Sequence, residues 1–128
     1  EQSPERRDNR RAVEKLEREI KARGLEAVVE EAAYTWFNRF CAFRFMDANR
    51  YTGIMVVSPL EGATQPQLLA DARNGVFDES IDLEDDVKIN ATDILLGKKP
   101  SSEPFAEAYR VLFAGTCNAW RRTMPFLL

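Results

Sequence analysis

Several groups of residues in this 128-residue chain have the types and spacing to do chemistry. The acidic run Asp78-Glu79-Ser80-Ile81-Asp82-Leu83-Glu84-Asp85-Asp86 offers carboxylates to a cation. An EF-hand loop started at Asp82 puts Glu84 and Asp86 at positions 3 and 5. It also puts Val87 where a glycine must turn the chain and Asp93 where a glutamate must close it. The run therefore reads better as acidic residues gathered at a helix N-terminus. Arg7, Arg11, Lys15 and Arg18, followed by Lys21, fall within about 120° of one another on a helix. Such a stripe can lie along a duplex backbone, releasing counterions at each phosphate it neutralises. Interspersed glutamates weaken that field, so a solvated face with pairs such as Glu14–Arg18 and Glu17–Lys21 is the plainer account. Arg44 projects from an apolar stretch with Asp47 three residues on. An unpaired buried arginine is very costly, so an ion pair or a carbonyl partner is expected there. Asn38 and Arg39 suit hydrogen bonds to neighbouring helix ends. Cys41 and Cys117 sit among apolar residues without a histidine or a CxxC, and are expected to be inert buried thiols.

Composition narrows the classes further. The chain has no histidine, which removes His-based acid/base catalysis and His metal sites from its own repertoire. Eighteen Lys plus Arg face 21 Asp plus Glu for a net charge of −3. Residues 5–23 alone carry +3, leaving −6 on the remainder. The length suits one domain. Neither a Gly-x-Gly-x-x-Gly loop nor a P-loop is present. The longest aliphatic run, Ile54-Met55-Val56-Val57, is far short of the ~20 residues of a membrane helix. The charged N-terminus has no signal-peptide core, so a cytoplasmic protein without a membrane partner is expected. Residue 1 is not Met and the chain stops on Phe126-Leu127-Leu128, so a fragment of a longer protein is expected.

The elements that must position these groups are helices. A charged helix over about Glu5–Arg23 carries the narrow stripe Val13, Leu16, Ile20 and ends or kinks at Gly24. Residues 1–24 are then one segment and 25–128 a helical domain. A second helix over about 26–49 is apolar at nearly every angle, with a thin polar strip of Thr35, Asn38, Arg39 and Ala42. That pattern predicts a central, buried helix, with Trp36, Phe37, Phe40, Phe43 and Phe45 in the core. A short strand-like or loop segment is expected at about 54–62. Thr64 is expected to cap a short helix begun by Pro66 and ended at Asn74-Gly75. Asp82 should cap a helix over about Leu83–Leu96, with Gly97 at its C-terminus. Ser102 should cap a last helix with Phe105, Tyr109, Leu112, Thr116 or Cys117, and Trp120 on one face, stopping before Pro125. The sum is an all-α domain of about five helices around the helix at 26–49.

Two stretches go beyond a generic helical domain. Residues 33–47, Ala33-Tyr34-Thr35-Trp36-Phe37-Asn38-Arg39-Phe40-Cys41-Ala42-Phe43-Arg44-Phe45-Met46-Asp47, resemble a segment near the start of PglX-type adenine-specific DNA methyltransferases of phage-exclusion systems. Residues 107–113, Glu107-Ala108-Tyr109-Arg110-Val111-Leu112-Phe113, continuing through Cys117-Asn118-Ala119-Trp120 to Met124-Pro125-Phe126-Leu127, are similar to a later segment of the same family. Phe43 and Trp120 depart from the leucines expected there. The resemblance implies that Tyr34, Trp36, Phe37, Asn38, Arg39, Arg44, Phe45, Tyr109, Arg110, Cys117, Asn118 and Pro125 are family-motif residues with structural roles. It also implies S-adenosylmethionine as cofactor of the longer protein. The family's Gly-rich cofactor loop and its Asn-Pro-Pro-Tyr/Phe motif, which holds a flipped adenine, are absent from this sequence. No catalytic, cofactor or metal residue can therefore be carried over. Implied partners are the catalytic domain of the same protein, double-stranded DNA along the basic face, and other phage-defence subunits.

Overall fold

The computed structural model describes residues 4–121, with side chains from residue 10 onward. Five α-helices follow one another: α1 (Pro4–Arg23), α2 (Leu25–Ala48), α3 (Gln67–Arg73), α4 (Asp85–Leu95) and α5 (Pro104–Arg121). A single 3₁₀ turn, Glu79–Ile81, lies between α3 and α4. The architecture is all-α, as the periodicity predicts, and the described residues form no sheet. Two compact units are present, Glu1–Phe37 and Asn38–Leu128, and α2 contributes to both.

In the first unit, α1 stops where its charge pattern says it should. Lys21 and Arg23 occupy the last turn, and Gly24 adopts a φ of +87° that a side chain would resist. The Gly24 N–H still donates to Ile20 O at 2.8 Å. Arg23 forms an ion pair with Glu31 across the break.

The second unit holds the core. Phe43 and Met46 of α2 join Ile54 and Val56, Leu68 and Leu69 of α3, Ile94 of α4, and Leu112, Phe113 and Cys117 of α5. Gly115 lets α4 approach α5 closely: a Cβ there would lie 2.7 Å from Val87 Cγ1. α2 ends with the Tyr51 N–H on Met46 O and the Arg50 N–H on Asp47 O. This is a Schellman closure with Arg50 in the left-handed region at φ 57°. Gly75 and Gly97 fill the same position after α3 and α4.

Three expected caps are not used. Pro66, not Thr64, precedes α3, and no side chain caps that helix. Asp82 does not cap α4; it is left-handed at φ 53° and closes the 3₁₀ turn, while Glu84 precedes α4. Before α5, which begins at Pro104, the Glu103 N–H donates to the Ser101 hydroxyl at 3.3 Å, a turn ahead of the helix in place of the cap expected of Ser102. The strand-like segment is a loop whose only pairing is an isolated bridge between Pro59 and Pro66.

The expectation of a helix buried on every side is corrected. Of α2, only Val28, Phe43, Met46 and Asp47 are buried. Phe37 is 64% and Phe45 60% exposed, and Tyr34, Trp36 and Phe40 are also exposed. The polar strip lies at the edge of the inward side instead: Thr35, Arg39 and Ala42 are half-buried. Periodicity counts how much of a helix is apolar, and cannot say which side meets a neighbour.

Candidate functional site

The best-constructed feature of the chain lies where the C-terminal half of α2 meets the loop after it. Asp47 is 3% exposed, an unusual place for a carboxylate. Its Oδ1 accepts the Val56 N–H at 2.8 Å, and its Oδ2 accepts the N–H groups of Val57 and Ser58, each at 2.9 Å. Further backbone groups of the loop are paired as well. The Met55 N–H donates to Gln67 Oε1 at 2.9 Å, and the Leu68 and Gln67 N–H groups return to Met55 O and Ser58 O. The Tyr109 hydroxyl of α5 donates to Val56 O at 2.9 Å. Ile54, Val56 and Ser58 are buried in strand-like alternation. A carboxylate, an amide and a phenol replace the neighbouring strand, which is why this β-branched run forms no sheet.

Arg44 does not pair with Asp47; its Nη1 donates to the Ser58 hydroxyl. The carboxylate is already used by three backbone donors, so the expected ion pair gives way to a hydrogen bond one step along the same loop. On α5, Tyr109 stacks on Phe113 with ring centroids 5.9 Å apart, and burial pushes its hydroxyl well above the ordinary phenol range. The phenol therefore stays a donor at any physiological pH.

The other predicted residues distribute as follows. Arg11, Lys15 and Arg18 are exposed on α1, and the side chain of Arg7 lies outside the described residues. Asn38, Arg110 and Asn118 are exposed. Phe45 packs edge-on to Tyr51 at 5.9 Å. Pro125 lies outside the described residues. The family-motif residues Arg44 and Tyr109 are thus brought together on the loop at 55–58, whereas Tyr34, Trp36 and Phe37 stand on the surface. Sequence reading missed Ser58 and Gln67 altogether. The one available signal was an aspartate closing an apolar helix ahead of a β-branched run with too few neighbours to form a strand.

The cysteines differ from each other. Cys117 is buried, and burial pushes its thiol up to about 11 despite the opposing charge of Arg39. Cys41 is exposed, against expectation, because it faces away from the side that carries Phe43 and Met46. Iodoacetamide at pH 8 is expected to alkylate Cys41 readily in the folded chain and Cys117 only in denaturant. At that pH about one Cys117 thiol in a thousand is ionised, apart from any steric protection. Equal rates by mass spectrometry would refute the burial of Cys117.

A shallow cleft of about 290 Å³ beside Asp47 is lined by Arg50, Thr52, Gly53, Met55 and Leu60 among others. A second, of about 540 Å³, lies by Arg73, Thr92 and Phe105, where the Arg73 guanidinium sits 4.4 Å from the Phe105 ring centre. Neither gathers a nucleophile with a base. Among the described residues no cluster of three or more carboxylate and thiol side chains is placed to hold a metal. No helix described is long and apolar enough to cross a membrane.

The fold and this site define a class: a helical unit in which a buried carboxylate and a tyrosine fasten a loop onto the helices. Comparison with known proteins gives the relationship. The chain is 32% identical over 116 residues to the adenine-specific methyltransferase BrxX of Escherichia coli O9:H4 (strain HS), a match covering 89% of this chain and 9% of that protein. It is 30% identical over 118 residues to the adenine-specific methyltransferase PglX of Lacticaseibacillus casei (strain Zhang), covering 80% of this chain and 8% of that protein. The chain is a segment of the PglX/BrxX type, and it spans less than a tenth of the length of these relatives. No family model and no solved structure matches it.

Proposed function

We propose that this chain is a helical, non-catalytic domain of an S-adenosylmethionine-dependent, adenine-specific DNA methyltransferase of a bacterial phage-defence system, acting in the cytoplasm. The observation that carries the reading is that two proteins named adenine-specific methyltransferases match 80–89% of the chain. The lack of a Gly-rich loop and of a Pro-Pro pair in the sequence supports a supporting role beside a separate catalytic domain. In that role the domain packs on the catalytic domain and presents Arg7, Arg11, Lys15 and Arg18 of α1 to the phosphates of duplex DNA. Exposed Arg11, Lys15 and Arg18 are consistent with that use.

Fluorescence anisotropy with a labelled duplex tests the DNA contact. Four neutralised phosphates give a slope of log affinity against log salt of about −3 to −4. Reversing Arg7, Arg11 and Arg18 to glutamate should abolish the slope. Affinity indifferent to ionic strength, or to these reversals, sinks the clamp. A second reading is favoured by the exposed aromatics Tyr34, Trp36, Phe37 and Phe45: a protein-interaction module that recruits another subunit of a restriction or phage-exclusion complex. It predicts binding to that subunit without any salt-dependent affinity for DNA.

A further inference from the structure

α1 ends at Arg23 and α2 begins at Leu25, so Gly24 is the whole connection between them. Helical hydrogen bonding runs up to this residue from both sides. The Gly24 N–H donates to Ile20 O at 2.8 Å, and Gly24 O accepts the Val28 N–H at 3.3 Å. The bonds that would span the residue are missing: the N–H groups of Leu25, Glu26 and Ala27 do not reach the carbonyls of Lys21, Ala22 and Arg23. One dihedral accounts for the gap, since Gly24 has φ +87° where a helix takes about −63°. Glycine adopts the two signs about equally readily. A Cβ at Gly24 would meet nothing within 4 Å, so no packed neighbour enforces the left-handed state.

Each way of joining the helices has its own support. The broken form keeps Arg23 paired with Glu31. On a continuous helix these two residues would stand ~12 Å apart along the axis, well beyond the spacing at which helical neighbours meet. The pair therefore belongs to the broken form. It lies at the surface, with side chains 46% and 58% exposed, and such pairs hold weakly. Val28, buried four residues past the break, adds to the same side. The continuous form gains the three missing backbone bonds. Residues 10–18 are all exposed, so no buried side chain there fixes the direction in which α1 leaves the break.

We infer that Gly24 is a two-state hinge, latched in the broken form by Arg23 and Glu31 and closing into one continuous helix when that pair parts. The device redirects α1. In the continuous form α1 lies in line with α2, and Arg11 stands ~20 Å beyond Gly24 with Lys15 and Arg18 behind it. In the broken form those cations leave that line. Added salt screens the latch and favours the continuous form. The hinge requires no DNA contact, so it stands or falls separately from the reading of α1 as a DNA-binding face.

Amide hydrogen exchange of the 128-residue chain, read residue by residue by NMR, tests it. The amides of Leu25, Glu26 and Ala27 exchange from the broken form, whereas the Val28 amide is bonded in both. Gly24→Ala penalises the left-handed state and favours the helical one, so it should slow the three amides at least about tenfold. Asparagine tolerates the left-handed region, so Gly24→Asn should leave them within about threefold of wild type. Glu31→Gln releases the latch and should slow them about twofold to fivefold. Added salt should act on the wild type in the same direction. Unchanged exchange in Gly24→Ala or in Glu31→Gln overturns the proposal. Equal slowing by alanine and asparagine overturns it too, because handedness is then not what holds the break. The amides from Leu16 to Ile20 report on α1 itself: exchange there at the rate of an unfolded peptide would mean that α1 unwinds instead of swinging, and the hinge is overturned.

Discussion

Replacing Asp47 by alanine is expected to lower the unfolding free energy of the chain by about 3–5 kcal/mol, the largest loss available from any polar side chain in it. The carboxylate satisfies three backbone N–H groups at 2.8–2.9 Å on a loop whose Val56 and Ser58 are buried. Truncation leaves those donors without an acceptor, and water has little access to replace it. A single-domain protein has only about 5–15 kcal/mol of stability, so the variant should unfold at markedly lower urea concentration. Asp47→Asn separates geometry from charge. The amide keeps one oxygen for Val56 but turns a donor towards Val57 and Ser58, and roughly half of the loss should return with the oxygen. A urea midpoint for Asp47→Ala indistinguishable from wild type would show that the loop is held by its apolar side chains alone.

Asp47 also marks where the sequence stopped being legible. The five helices could be read from apolar spacing, and three of their ends from Gly24, Gly75 and Gly97, because those signals are local. The end of α2 uses the same closure with Arg50 in the left-handed position, at an intrinsic cost of about 1 kcal/mol, and no local preference announces it. The N-cap positions of α3 and α4 lie two residues beyond Thr64 and Asp82, and neither carries a side-chain cap. Serine, threonine and aspartate are frequent near helix starts, and which of them is used depends on the turn that precedes it. The loop at 54–58 has the composition of a strand, and whether such a run finds a neighbour or a carboxylate is a matter of tertiary placement. The Arg44–Asp47 pair was a sound local reading overridden by three donors from beyond the helix. The outward aromatics of α2 were illegible for another reason: spacing shows that a face is apolar, but only the packed chain shows whether that face has a neighbour.

Phe113→Ala should cost the chain about 3–5 kcal/mol, and the same change at Phe40 clearly less, although the two rings touch. Phe113 is 1% exposed. Its ring lies flat against Phe40 at 4.3 Å and 5°, meets Phe43 edge-on at 5.6 Å and 70°, and stacks on Tyr109 at 5.9 Å. Removing it opens a cavity that three neighbours from two helices would have to collapse into, and it forfeits aromatic contacts worth about 0.5–1.5 kcal/mol each. Phe40 covers the same ring from the solvent side and is 40% exposed, so its removal leaves a surface dent that water can fill. Phe113→Leu keeps most of the volume and should fall between the two, at about 1–2 kcal/mol. The loss should also reach the loop, since Tyr109 leans on Phe113 while its hydroxyl holds Val56 O. In Phe113→Ala the amide of Val57 is therefore expected to exchange its hydrogen faster than in Phe40→Ala, beyond what the fall in global stability explains. Equal thermal midpoints for the two alanine variants would mean that the stacked pair is solvated on both sides and that α5 is held by its aliphatic residues instead.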